Sequence, residues 1–139
     1  MKSTGELLDV LKSEDCYEEV YKKTTDFFEL TLSEYLMQLV EEKQLKRAAI
    51  IAKSGIERTY AYQIFSGKKV PSRDKLVSLA FGMELAFKEV QELLKVNGYA
   101  QLYPKNKRDS IIIFALKKGH SIVKLNEALF SMGEEVISL

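Results

Sequence analysis

Tryptophan is absent from this chain of 139 residues, and cysteine, histidine and proline are scarce. The single cysteine, Cys16, excludes an internal disulfide, so the reducing cytoplasm is the expected compartment. The one histidine, His120, has no cysteine or carboxylate near it at the spacing of metal ligands, and Cys16 has no histidine in its segment to activate it. We therefore expect no catalytic residue, no metal, no cofactor and no enzyme activity.

Long apolar runs are missing as well. The longest covers residues 111–116, far short of the roughly 18 residues that indicate a transmembrane helix, and no signal peptide is recognisable. Apolar residues make up 46% and charged residues 29% of the chain, a balance typical of a globular protein rather than a disordered one. No membrane association is expected.

The net charge of +1 conceals a strong segregation of charge along the chain. Residues 1–42 carry 4 lysines and 11 acidic residues, whereas residues 43–75 carry 9 basic and 2 acidic residues. A concentrated basic block is what a phosphate-facing surface requires, because each neutralised phosphate releases counterions. A basic face that is merely solvated is the alternative reading of this block.

The basic block contains two short predicted helices, over residues 45–53 and 57–66, joined by Ser54-Gly55-Ile56. Two helices of this length with glycine in the turn are typical of a helix-turn-helix, because glycine readily adopts the left-handed backbone that such a turn needs. A second glycine, Gly67, ends the pair and leads through Pro71 into another predicted helix. Ser72 is the expected N-cap of that helix, and its expected core face comprises Leu76, Val77, Leu79, Ala80 and Phe81.

This stretch resembles the lambda-repressor-like (XRE-type, phage repressor and Cro) helix-turn-helix family. The resemblance rests on Gly55 in the turn, Ile56 after it, Ile64 late in the second helix, and the Gly67-Lys68-Lys69-Val70-Pro71-Ser72 run. It implies a sequence-specific regulator that binds double-stranded DNA, with the second helix in the major groove and two copies reading paired half-sites. The family usually caps both helices with serine or threonine, so Lys46 and Glu57 predict weaker helix starts here.

Helical spacing and the resemblance together select the candidate DNA contacts. With Ile56, Ala61 and Ile64 directed to the core, the outer face of the second helix carries the candidate base contacts Arg58, Thr59, Tyr62 and Gln63. The candidate phosphate contacts are Lys46, Arg47, Ser66, Lys68, Lys69 and Arg73. Tyr60 and Phe65 are expected to be mainly core residues, whereas Tyr62 fits either role.

An internal repeat follows the predicted helix-turn-helix. A shift of 35 residues aligns residues 73–99 with residues 108–134, with identical residues at 6 of the 27 positions and paired glycines, Gly98 and Gly133, at the ends. Each copy reads as a helical hairpin that stacks on the other. If the copies are related, Leu94 and Leu129 are expected to be equally buried.

We therefore predict an all-α protein of about eight helices, with a repressor-like helix-turn-helix bundle extended by a duplicated helical hairpin. An acidic N-terminal helical arm spans residues 1–30, the DNA-binding core residues 31–82, and the hairpins residues 73–139. The core begins with a capping box, Thr31 to Glu34. A homodimer is expected, with self-association through the C-terminal half, where residues 111–114 and the tail residues Val136, Ile137 and Leu139 are apolar. The alternative is a protein-interaction adaptor that keeps the fold without binding an operator, its partner meeting the hairpins or the acidic arm.

Overall fold

The computed structural model describes residues 30–138, and these residues form seven helices and no strand. The all-α class predicted from the sequence is confirmed, while the expected arm over residues 1–30 lies almost wholly outside the described residues. The helices are α1 (Leu32–Glu42), α2 (Arg47–Ser54), α3 (Arg58–Ser66), α4 (Arg73–Gly82), α5 (Phe87–Val96), α6 (Lys107–Lys118) and α7 (Ile122–Ser131).

The capping box predicted at the start of α1 is present. Thr31 Oγ1 accepts from the Glu34 backbone N–H at 3.2 Å, and Glu34 Oε1 accepts from the Thr31 backbone N–H at 3.1 Å. The bonds that the Glu34 carboxylate accepts, first from the Thr31 backbone N–H and then from the Thr31 hydroxyl at 2.8 Å, hold the pKa of Glu34 below its usual value. Two otherwise unpaired backbone donors are satisfied, which fixes where α1 begins. Leu36 and Val40 then direct the helix into the core.

The core is continuous from α1 to α7. Its fully buried large side chains include Leu36 of α1, Ile50 of α2, Ile64 of α3, Leu79 of α4 and Leu125 of α7. The five residues predicted for the core face of α4, Leu76, Val77, Leu79, Ala80 and Phe81, are all buried. Ser72 caps this helix through the Lys75 backbone N–H, as predicted.

Helices α2 and α4 approach closely at Gly82. A Cβ atom placed there would lie inside van der Waals contact of the Ile50 carbonyl oxygen and 3.1 Å from Ser54 Cβ. Any side chain at this position would therefore push α4 away from α2. Gly82 is therefore needed for the close packing of two helix backbones and not for a left-handed backbone conformation.

The 35-residue repeat is visible in the structure. Helices α4 and α5 form one hairpin and α6 and α7 another, and the bounds of α7 are those of α5 shifted by 35 residues. Leu94 and Leu129 are both fully buried, as the alignment predicts. The Gln91 amide bonds the backbone of Leu102, and the Asn126 amide, 35 positions on, bonds the backbone of Ile137.

The two hairpins are joined by reciprocal ion pairs. Arg73 donates to Asp109 at 3.2 and 3.0 Å, and Arg108 donates to Asp74 at 3.1 and 2.8 Å. The hydrogen bonds that Arg108 donates to the Asp74 carboxylate raise the pKa of Arg108 above its usual value. The arginine of each hairpin thus pairs with the aspartate of the other hairpin. Such reciprocal contacts are the pattern of a two-fold axis, here within one chain.

Candidate nucleic-acid interface

The α2–turn–α3 unit presents one side to the core and the other to solvent. Gly55 ends α2 with φ of 74°, in the left-handed region that glycine adopts without strain. Ser54 Oγ donates to the Ile51 carbonyl at 2.8 Å and accepts from the Ile56 N–H at 3.3 Å, so it holds the turn from within. Ile56, Ala61 and Ile64 are buried. The opposite side of α3, which begins with the exposed Arg58 and Thr59, faces solvent.

The expectation that Glu57 weakens the start of α3 is wrong. Its carboxylate accepts from the Thr59 N–H at 3.0 Å and from the Tyr60 N–H at 2.7 Å, so it caps the helix in place of serine or threonine. These two backbone bonds, the one from Tyr60 first, hold the pKa of Glu57 below its usual value. An anion at a helix N-terminus also complements the helix dipole.

The start of α2 behaves as predicted. Lys46 occupies the N-cap position with no side-chain hydrogen bond to the helix. The first-turn N–H groups of α2 therefore lack a side-chain acceptor, and residues 46–49 are all exposed. Such groups, together with the positive end of the helix dipole, bind phosphate oxygens in many proteins.

The outer side of α3 carries the predicted base-contact residues. Arg58 and Thr59 are exposed, and Tyr62 and Gln63 are half-buried. Spacings of one, four and five residues place them on one stripe of the helix. Within residues 30–138, the side chains of Arg58 and Gln63 form no hydrogen bond or ion pair. Their donors and acceptors are available to a ligand.

Tyr62 organises two arginines on this side. The guanidinium carbon of Arg47 lies 5.8 Å from the centre of the Tyr62 ring, and that of Arg58 lies 5.7 Å from it. Cation–π contacts of this length restrict the rotamers of both arginines. Tyr62 is thus a positioning residue between α2 and α3. Sequence reasoning left its role open, because Arg47 and Tyr62 are 15 residues apart and only packing brings them together.

A shallow groove runs between the two helices beside this cluster. It has a volume of about 420 Å³, and its lining includes Ala48, Ala52 and Gly55, besides Arg58 and Tyr62. Sequence analysis did not assign these small residues to the site. The signal that could have found them is the spacing of Ala48 and Ala52, since two small residues four positions apart on one side of α2 leave room for a ligand to approach the backbone.

The predicted phosphate contacts divide into two groups. Lys46, Arg47, Lys68 and Lys69 are exposed, and no carboxylate among the described residues forms an ion pair with them. The backbone of the two lysines is fixed, because both N–H groups bond the Gln63 carbonyl, at 2.9 and 3.2 Å. Ser66 is also exposed, and its hydroxyl donates to the same carbonyl at 3.1 Å.

Arg73 is a correction to the predicted phosphate contacts. Its guanidinium bonds both oxygens of Asp109, and it also donates to the carbonyls of Ala100 at 2.8 Å and Gln101 at 3.0 Å. The group is thus occupied by the contact between the hairpins, and we remove it from the candidate interface. Two other basic residues of the block are also ion-paired, Lys43 with Glu89 at 2.6 Å and Lys53 with Glu84 at 2.8 Å.

The two aromatics predicted for the core do pack there. Phe65 is buried, and its carbonyl accepts from the Ser33 hydroxyl, which ties α3 to α1. Tyr60 is half-buried against the core, with the Lys75 ammonium 5.1 Å from its ring centre. Neither residue is available to a ligand in the way that Arg58 is.

No protein-family model, curated protein or solved structure that was compared with the chain matches it. None of the described helices is both long and apolar enough to cross a membrane. Over residues 30–138, no group of three or more His, Cys, Asp or Glu side chains is arranged to hold a metal ion. The candidate site is a basic face with hydrogen-bonding side chains, formed by α2 and α3 of an all-helical protein.

Proposed function

We propose that the chain is a sequence-specific DNA-binding regulator that reads double-stranded DNA with α3. The observation that carries the proposal is the stripe of Arg58, Thr59 and Gln63 beside the exposed cations of α2 and the α3–α4 loop, since the Arg58 guanidinium and the Gln63 amide form no hydrogen bond or ion pair among the described residues. Base edges in the major groove present the donors and acceptors that such side chains match, and phosphates flank them on both sides.

Each residue has a role in this reading. Arg58 donates two hydrogen bonds to guanine, Gln63 pairs with adenine, and the Thr59 methyl contacts thymine. Tyr62 holds the Arg58 guanidinium near its productive direction, which lowers the conformational entropy lost on binding. In this proposal, specificity comes from the stripe of Arg58, Thr59 and Gln63, in which Tyr62 already positions the Arg58 side chain before DNA binds.

The phosphate contacts lie at the two ends of this stripe. At one end, Lys46, Arg47 and the uncapped first turn of α2 face one phosphate segment. At the other, Lys68 and Lys69 extend from the C-terminal end of α3, with their backbone fixed on the Gln63 carbonyl. These contacts fix the register of the protein on the duplex without reading sequence. Paired half-sites, as in comparable modules, imply that two copies bind together.

Selection of bound sequences from a random duplex pool tests the proposal. A regulator of this kind enriches one short motif, repeated as an inverted pair, and its affinity for that motif falls linearly with the logarithm of salt concentration. The matched control is the variant Arg58→Ala with Gln63→Ala, which is expected to enrich no motif while still binding DNA weakly. A wild-type chain that enriches nothing and shows no salt-dependent binding would refute the proposal.

An adaptor that uses the same fold to bind a protein is the second candidate. The observation in its favour is the exposed Glu57 carboxylate at the start of α3, since a negative charge there repels a phosphate backbone. The same selection separates the two functions, because an adaptor enriches no duplex at any salt concentration.

A further inference from the structure

The two hairpins differ in polarity at equivalent exposed positions. On α5 of the first hairpin, Lys88 and Lys95 lie in solvent. On α7 of the second, 35 residues further along, the same positions hold Val123 and Phe130, which are 63% and 79% exposed. Because both copies expose these positions, packing within the fold does not account for the apolar residues. Exposed apolar residues grouped on one face mark an interaction site, whereas a single exposed apolar residue does not.

Val123 and Phe130 form one surface, named here the α7 patch. They are seven residues apart on one helix, so they lie two turns apart on the same face, about 10 Å from each other. Phe130 alone leaves on the order of 150 Å² of surface in solvent, given the area of an aromatic side chain. Val123 also lines a groove of about 710 Å³, whose apolar walls include Leu85, Leu116 and Ile122. The α7 patch thus offers a projecting ring and, beside Val123, a recess.

We propose that the α7 patch binds the α7 patch of a second copy of this chain, with the two α7 helices antiparallel about a two-fold axis. In this arrangement Phe130 of each copy packs on Val123 of the other, beside the apolar groove. The ring and the recess lie on the same surface of one chain. A two-fold axis therefore places the ring of each copy beside the recess of the other, and the same contact forms twice. The ring and the recess therefore need no partner other than a second copy of the chain.

Charge supports a second copy over a charged partner. The exposed residues between Val123 and Phe130 include one cation, Lys124, and one anion, Glu127. An antiparallel pair places Lys124 of one copy within a helical turn of Glu127 of the other, so the charges are complementary to themselves. A strongly acidic or basic partner would find no net charge to match on this face.

This inference rests in part on the proposed function, because paired half-sites require two copies. It also changes the surface expected from the sequence, where the run at residues 111–114 and the C-terminal tail indicated self-association. Ile111, Ile112 and Ile137 are buried inside the chain and contribute nothing to a partner. Phe114 and Val136 of the predicted set stay exposed, at 58% and 38%, but Phe130 on α7 is the most exposed aromatic side chain among the described residues.

Sedimentation velocity of the full chain, without DNA and from low to high micromolar concentration, tests the inference. We expect a dimer whose dissociation constant rises at least about 30-fold in the double variant Val123→Lys with Phe130→Lys, because a central interface residue contributes about 2 kcal/mol or more. The variant carries the residues that the first hairpin has at these positions, so folding is retained and far-UV circular dichroism is unchanged.

Val70→Lys is the matched control, since Val70 is 79% exposed and lies outside the α7 patch; its dimer is expected to equal that of the wild type. A wild-type chain that stays monomeric at high micromolar concentration overturns the inference, as does a dimer that the double variant leaves intact. A dimer that depends on Val123 and Phe130 but binds no DNA supports the inference and refutes the proposed function. The two ideas therefore fail separately.

Discussion

Removal of Asp109 tests whether the reciprocal ion pairs hold the two hairpins together. Its side chain is about 10% exposed and accepts both guanidinium bonds of Arg73, and it also accepts the Tyr103 N–H at 3.0 Å. Asp109→Ala removes the carboxylate that pairs with the half-buried Arg73 guanidinium, which keeps only the neutral carbonyls of Ala100 and Gln101, and it leaves the Tyr103 N–H without its acceptor. Breaking a buried pair from one side costs about 3 to 5 kcal/mol, and the partial exposure of Arg73 places this case near 3 kcal/mol.

The repeat supplies a matched comparison at Asp74. This carboxylate is 27% exposed and accepts from Arg108, but among the described residues it accepts no backbone N–H. Asp74→Ala is therefore expected to lower the free energy of unfolding by less, about 1 to 2 kcal/mol, between the ranges for exposed and buried pairs. Lys53→Ala, which breaks an exposed pair with Glu84, is the control and is expected to cost less than about 1 kcal/mol.

Urea denaturation followed by far-UV circular dichroism measures all three variants. The urea midpoint is expected to decrease least in Lys53→Ala, more in Asp74→Ala and most in Asp109→Ala. The m-value is expected to stay unchanged, because the surface exposed on unfolding is the same. A loss of 3 kcal/mol corresponds to a decrease in Tm of roughly 10 °C for a domain of this size. If Asp74→Ala costs as much as Asp109→Ala, burial and the Tyr103 bond do not set the difference, and the reasoning is refuted.

Three further predictions follow from the described contacts. Gly82→Ala is expected to lower the free energy of unfolding by about 1 to 3 kcal/mol, because its methyl group meets the backbone of α2; an unchanged urea midpoint would contradict this. Glu57 has a lowered pKa in the folded chain, so its cap stabilises α3 above its unfolded pKa of about 4.5 and this contribution is lost as the pH falls through the folded pKa. Glu57→Gln should flatten that acid limb of the stability profile, and should also strengthen binding to duplex DNA; a limb of unchanged depth would count against the cap. In anisotropy titrations, Arg58→Ala or Gln63→Ala is expected to cost about 1 to 3 kcal/mol on the selected motif alone, whereas Lys68→Ala should weaken binding to every sequence and reduce the salt slope by about 1; identical behaviour of the two kinds of variant would place base readout elsewhere.

The conformations that the sequence determined are those whose partners lie within one helical turn. The capping box joins Thr31 to Glu34, the turn at Gly55 needs only the backbone freedom of one residue, and the Ser72 cap reaches three residues along. Local hydrogen bonds of this kind form at a fixed sequence spacing, so a pattern predicts them. The repeat was recognisable in the sequence for a related reason, because two copies of one hairpin place their apolar residues at the same sequence spacing.

The tertiary structure decided the roles of residues whose partners are distant in sequence. Arg73 looks like a phosphate contact beside Lys68 and Lys69, but packing brings Asp109, 36 residues away, against its guanidinium. A free cation and a structural one have the same sequence pattern, and only the position of the partner distinguishes them. Likewise, the apolar character of Val123 and Phe130 does not by itself distinguish a buried position on α7 from an exposed one. Their exposure depends on which face of α7 the other helices cover, and that is set by long-range packing rather than by the helix itself.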